Sequence, residues 1–300
     1  MIASPMEFLA CLLMSDKTVI RSSNLKRLIC LSIEDTMEAS LTKQELLKKY
    51  FNPKEYYDIS YAKGKGILLG EWVPFVLKNL HELFSSGSVK GDTLTDIGSG
   101  SSIYHLVSAC RSFKNITTSD LLEQNLIQQK KWLNKEPDML DWSEIVQIVC
   151  DLEGNSEKVE EKEDKLRRAV RDVLKCDVLK KNPFEPLVLP PADCVLCCLC
   201  LESACKDVAT YCDTVKNLKN LLKPGGHIIV LGTIKNSYYS VKEKRIPTMP
   251  LKEEDIKKAY TDGGYEILRM ESKRREDLSL ISIADFQGFY FVLARKPGKC

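Results

Sequence analysis

The chain has 300 residues, 44 Lys and Arg against 42 Asp and Glu, and a formal net charge of +2, with 44% hydrophobic and 29% charged residues. These proportions exclude a disordered or collagen-like chain. The balanced charge argues against a broad nucleic-acid-binding surface. The twelve cysteines are too dilute for a small disulfide scaffold. Five of them, Cys194, Cys197, Cys198, Cys200 and Cys205, crowd one apolar run and read as reduced, buried packing residues. A zinc site would need histidines or a second pair at matching spacing, and His81, His105 and His227 stand isolated. No metal is therefore expected. The apolar run Phe8 to Met14 is too short to span a bilayer, and no basic residue precedes it. The expectation is a cytoplasmic protein, most simply a monomer, with no membrane or nucleic-acid partner.

In chain order, residues 1–36 show no periodic element. They read as an extension before Met37, or as a short helix packed on the domain. Leu41 to Tyr50 reads as a helix, broken by Phe51-Asn52-Pro53 and followed by a tyrosine-rich stretch. Glu71 to Phe84 is an amphipathic helix. Strands and helices then alternate. The strands are Thr93–Ile97, Asn115–Ser119, Ile145–Cys150, Cys194–Leu201 and Ile228–Leu231. The helices between them are Ile103–Cys110, Asn125–Leu133, the charged 157–174 and Ala209–Leu222. Tyr265–Arg269 and Phe289–Ala294 form a final strand pair at one edge. The fold class is α/β: a mostly parallel sheet covered by helices, with ligands at the carboxyl ends of the strands.

Three features carry chemistry. The first strand ends in Asp96-Ile97-Gly98-Ser99-Gly100, where glycines let the backbone approach a ligand closely. Asp120 closes the second strand; it can accept hydrogen bonds from a nucleoside ribose, or cap the following helix. Leu221-Leu222-Lys223-Pro224-Gly225-Gly226 turns the chain into the fifth strand, and an ordinary helix stop explains it as well. Together, in this order, they resemble the class I S-adenosylmethionine-dependent methyltransferases. That implies a Rossmann-like, mostly parallel seven-stranded sheet with an antiparallel edge strand.

A closer resemblance runs from about Met37 to the C-terminus. Phe51-Asn52-Pro53 with Tyr56 and Tyr61, the run Gly91 to Gly100 with Ile103-Tyr104, and Lys131-Trp132-Leu133 carry it. So do Asp151 to Asn155, Val173 to Val178, Leu189 to Leu196, and Ser237-Tyr238-Tyr239. These are similar to the nicotinamide, phenylethanolamine and indolethylamine N-methyltransferases. The resemblance implies a single domain over 37–300, with an N-terminal cap (37–90) and a Rossmann-like core (91–300). It also implies S-adenosylmethionine as methyl donor, S-adenosylhomocysteine as product, and a small-molecule amine as acceptor.

Carried over by position, the resemblance gives Tyr61 and Tyr104 to the amino-acid end of the cofactor, beside Gly98 and Ser99. Asp120 would hold the ribose with Asn125 close by, Asp177 and Val178 the adenine, and Cys198 the cofactor mainly through its backbone. Tyr56, placed against cofactor and acceptor alike, would wall the acceptor site with Tyr239, and Leu199 would line it. Asn236 and Thr248 match polar positions near the acceptor. The position after the fifth strand, an aspartate in nicotinamide-type members, is Gly232 here. Glu202 follows the fourth strand, as in indolethylamine-type members. Glu202 would bind the amine and accept its proton, or serve only as a helix cap or surface charge. A tryptamine-like acceptor is thus expected before nicotinamide or a thioether sulfur, with a catalytically silent cofactor-binding protein as the alternative of another class.

Overall fold

Strand β1 (Thr93–Ile97) lies in the interior of a seven-stranded sheet in the computed structural model, which describes residues 41–154, 157–241 and 244–298. The extension read in residues 1–36 lies outside the described residues. β1 pairs in parallel with β2 (Asn115–Asp120) and with β4 (Ala192–Cys198). β3 (Val170–Lys175) extends the parallel sheet beyond β2, and β5 (Leu222–Ile234) extends it beyond β4. The terminal pair closes the other side: β8 (Glu266–Arg274) is the edge, and β9 (Gly288–Arg295) runs antiparallel between β5 and β8. A small hairpin, β6 (Tyr238–Val241) and β7 (Lys244–Pro247), stands apart from the sheet.

Side chains alternate faces along a strand, so each central strand feeds two apolar layers. In β4, Cys194, Leu196 and Cys198 join one layer, while Val195 and Cys197 join the other. The first layer packs under α3 (Trp72–Ser85), α5 (Ser143–Glu153) and α6 (Val159–Ala169). The second packs under α8 (Val208–Leu218) and α9 (Glu253–Asp262). α4 (Glu123–Leu133) joins β2 to α5. The nine cysteines among the described residues are all free thiols, and no group of three or more His, Cys, Asp or Glu there could hold a metal ion. No helix there is long and apolar enough to cross a membrane.

Three expected elements differ in kind, besides two shifted bounds: β4 ends at Cys198 and not Leu201, and β5 already begins at Leu222, within the expected turn. Ile145–Cys150 is not a strand but part of α5. Ile145, Val146, Val149 and Cys150 bury one helical face, and Gly154, at φ 63°, ends the helix in the left-handed region. Ile103–Cys110 is not one helix but two short 3₁₀ turns, Tyr104–Leu106 and Ala109–Arg111. Residues 101–109 are buried on all sides, so no exposed stripe sets a helical period. The helix expected over 157–174 stops at Ala169; Val170 and Val173 pair with Ile116 and Thr118 as β3.

Before the sheet, α1 (Lys43–Tyr50) is followed by α2 (Pro53–Ser60), a helix hidden in the tyrosine-rich stretch. The break at Phe51-Asn52-Pro53 is its start. The Asn52 side chain accepts from the Lys54 N–H (3.0 Å) and Glu55 N–H (3.2 Å), and Pro53 occupies the first turn. Residues from Lys43 onward form one compact unit.

Candidate active site

The carboxyl ends of β1 to β5 open into a cavity closed over by α1 and α2. All fifteen residues singled out from the sequence line it. They arrive from separate elements, and two regions are distinguishable by their chemistry.

The first region surrounds the glycine loop. Gly98 has φ 69°, and a Cβ there would collide with the Cys200 side chain, so the position admits only glycine without rearrangement. Ser99 N–H donates to Ser119 O (2.8 Å), and Ser119 N–H donates to Ser99 Oγ (3.1 Å), tying the loop to the end of β2. Asp120 then fixes three groups at once. Its Oδ2 accepts from Gly100 N–H (2.9 Å), and its Oδ1 accepts from Leu122 N–H (2.8 Å) and Asn125 Nδ2 (3.0 Å). Burial raises the Asp120 pKa, and these three donors oppose the rise. Asp120 is not the cap of the following helix: it braces the turn into α4, whose N-cap is Leu122 with no side-chain cap bond.

A carboxylate offers about four lone-pair sites, so Asp120 retains acceptor capacity after these three bonds. Asn125 Oδ1 beside it is buried without a partner. Such a pair suits the two hydroxyls of a ribose. Cys176, Asp177 and Val178 follow β3 on the same side, and Asp177 Oδ1 accepts from Gln44 Nε2 (3.2 Å) of α1. Tyr61 and Tyr104 hydroxyls lie 3.4 Å apart, and Trp72 Nε1 donates to Tyr104 OH (2.8 Å). Cys198 Sγ lies 3.8 Å from Tyr104 OH, so this thiol reaches the region. The residues present fit S-adenosylmethionine.

Sequence reading missed Trp72, which fixes Tyr104, and misjudged His105. That histidine is not isolated: its Nε2 meets the Asp96 carboxylate at 2.7 Å, both residues fully buried beneath the loop. The loop after β1 folds the 3₁₀ turn Tyr104–Leu106 back so that His105 reaches Asp96.

The second region surrounds Glu202. Leu199 leaves β4 at φ 55°, a conformation costly for a side-chain-bearing residue. It turns the chain into the short helix α7 (Leu201–Ala204), which carries Glu202. Glu202 is 2% exposed. Its Oε1 accepts from Thr233 N–H (2.9 Å) and Thr233 Oγ1 (3.2 Å), whereas Oε2 is buried with no partner. Burial raises its pKa; the N–H groups of Glu202 and Thr233, the Thr233 hydroxyl and the Lys43 charge pull the other way. A plain surface charge is thereby excluded. Tyr56 and Tyr239 meet edge-on, centroids 5.8 Å apart, and wall this region. Asn236 directs its amide nitrogen at Tyr238 O (2.8 Å) and Asp285 Oδ1 (3.0 Å), and Thr248 Oγ1 donates to Asn236 O (2.7 Å). Both polar groups hold the turn before β6 while lining the cavity.

A glycine loop after β1, a carboxylate closing β2 and a last strand inserted antiparallel between β5 and β8 are together the arrangement of a class I S-adenosylmethionine-dependent methyltransferase. The magnesium protoporphyrin IX methyltransferase of Synechocystis PCC 6803, solved with bound cofactor, shares this fold: TM-score 0.53 and 15% identity, covering 86% of this chain and 99% of that one. Residues 38–297 match the model of the NNMT/PNMT/TEMT family, and the chain belongs to that family. It is 44% identical to human nicotinamide N-methyltransferase over 261 residues, 87% of this chain and 98% of that protein. It is 41% identical to rabbit (Oryctolagus cuniculus) indolethylamine N-methyltransferase over 264 residues, 87% of this chain and 100% of that protein. The chain is an S-adenosylmethionine-dependent N-methyltransferase.

Proposed function

We propose that the acceptor is a primary arylalkylamine of the tryptamine type and that Glu202 receives it. The observation that carries this reading is the half-satisfied buried carboxylate: Oε1 is held by Thr233, and Oε2 is left unpartnered beside the tyrosine walls. An unsatisfied buried carboxylate oxygen is costly, and an ammonium group would relieve it. Gly232 supports the same reading. A Cβ there would lie 2.8 Å from Glu202 Oε1 and 2.7 Å from the Tyr290 ring, so the carboxylate of α7 keeps its place because position 232 carries no side chain.

S-adenosylmethionine, when bound, supplies an already activated methyl group. This chain's residues then have three tasks. Asp120, Asn125, Asp177 and Val178 position the nucleoside end, and Tyr61, Tyr104, Gly98, Ser99 and Cys198 the amino-acid end. Tyr56, Leu199 and Tyr239 exclude water and hold the aryl group; aromatic faces also attract the ammonium. Glu202 accepts a proton from the ammonium at Oε2, releasing the nitrogen lone pair. A carboxylate with its pKa raised by burial is a better proton acceptor than an exposed one.

Glu202→Gln should lower kcat/KM for tryptamine by about 100-fold or more, with S-adenosylmethionine affinity unchanged by calorimetry. Nicotinamide, whose pyridine nitrogen needs no deprotonation, should lose far less. Wild-type turnover of nicotinamide alone in a panel with tryptamine, phenylethanolamine and dimethyl sulfide would overturn the ranking. Nicotinamide is the second reading, favoured by the similarity to the human nicotinamide enzyme.

A further inference from the structure

Glu202 must be ionised before the amine arrives, in surroundings that favour its neutral form. The titratable groups around it come from six elements. Tyr56 of α2, Tyr211 of α8, Tyr239 of β6 and Tyr290 of β9 are all pushed upward by burial, Tyr56 to about 12. Cys197 and Cys198 of β4 are also raised, and Cys205, just past α7, to about 12. All seven are neutral near pH 7. Cys200, before α7, is a further thiol of the same cavity, and Lys43, at the first turn of α1, is the lysine that lines it.

Lys43 Nζ donates to Cys205 O (2.9 Å) and, more distantly, to Glu202 O (3.4 Å). These are the carbonyls of the second residue of α7 and of Cys205 just past its end. Burial lowers the Lys43 pKa, and Cys205 and Glu202 raise it. We propose that Lys43 is a positioning residue for the reaction: anchored on the backbone of Glu202 and Cys205, its ammonium is the nearby countercharge that keeps the Glu202 carboxylate, held by Thr233, ionised to receive the amine. This rests on the reading of Glu202 as the amine's acceptor group. It assigns α1, otherwise a polar helix with no fully buried residue, a part in the chemistry.

The test is the pH profile of kcat/KM for tryptamine between pH 5 and 8, where an alkylammonium stays protonated and the acid limb reports on the protein. Removing the cation by Lys43→Met should move that limb upward by about one pH unit. The loss should approach about tenfold on the acid side of the wild-type limb and be small well above it, and Lys43→Arg should restore the limb. Affinity for S-adenosylmethionine should stay within about twofold in both variants, which separates this effect from a damaged fold. A uniform loss at every pH with an unmoved limb would overturn the proposal and leave Lys43 a helix cap. If instead Glu202→Gln turns over tryptamine like wild type, the underlying reading of Glu202 fails, whatever Lys43→Met does.

Discussion

The glycine-loop side and the Glu202 side of the cavity are built in opposite ways. Around Asp120, the polar groups are crosslinked by short bonds among Gly100, Leu122 and Asn125, all near the ends of adjacent strands. Around Glu202, one carboxylate oxygen is held and the other left open, and the walls come from α2, β6 and the turn after β5. The first arrangement presents one fixed shape, suited to a ligand that never varies. The second keeps one unsatisfied group and lets the surrounding elements decide what satisfies it.

The strongest test of this contrast removes the Asp120 carboxylate. Asp120→Ala would strand three donors, two of them buried, and remove the acceptor proposed for the ribose hydroxyls. Bonds to a charged acceptor are each worth about 1.5–3 kcal/mol. S-adenosylmethionine affinity should fall by about 100-fold or more, measured by calorimetry. Unfolding in urea should show a loss of about 2–4 kcal/mol. A variant that kept its stability would mean that the loop is not crosslinked through this side chain.

Gly232→Ala probes the other side. The added Cβ meets Glu202 Oε1 at 2.8 Å and Tyr290 Cε1 at 2.7 Å, so the carboxylate or the ring must shift. Turnover of the amine should drop by about tenfold, with a stability cost of about 1–3 kcal/mol from overpacking. Cofactor affinity should hold within about twofold. Equal damage to cofactor binding would erase the division between the two regions.

The same division governs what could be read from sequence. The Asp120 side lies close in sequence: a strand, a glycine loop, the next strand and its closing acid, each with a local signature. Its hidden members differ in reach: Trp72 meets Tyr104 from 32 residues away, whereas His105 meets Asp96 from only nine, a pairing that no local signature announces. The Glu202 side is assembled from residues as far apart as Lys43 and Thr248. Tyr56, Tyr239 and Glu202 were accessible only through family resemblance. Thr233, the group that holds Glu202, depended on the register of β5 against β4. The misread segment 145–150 has a similar cause. Ile145, Val146, Ile148 and Val149 have strand-forming side chains, and only burial of one face with the cap at Gly154 decides for a helix.

Helix α1 belongs to both regions, because Lys43 reaches α7 while its neighbour Gln44 reaches Asp177. Adjacent helical residues point about 100° apart, so one short helix touches both sides. Asp177 Oδ1 already accepts from Gln44 (3.2 Å) and from Leu179 N–H (3.2 Å), which leaves Oδ2 for an adenine amino group. Gln44→Ala should therefore free the carboxylate to rotate and weaken S-adenosylmethionine binding by about two- to fivefold, the worth of one partly exposed hydrogen bond. Stability should not change, since α1 has no fully buried residue. A gain in affinity would reverse the reading: Gln44 would then compete with adenine for Asp177, and α1 would gate the nucleoside end instead of steadying it.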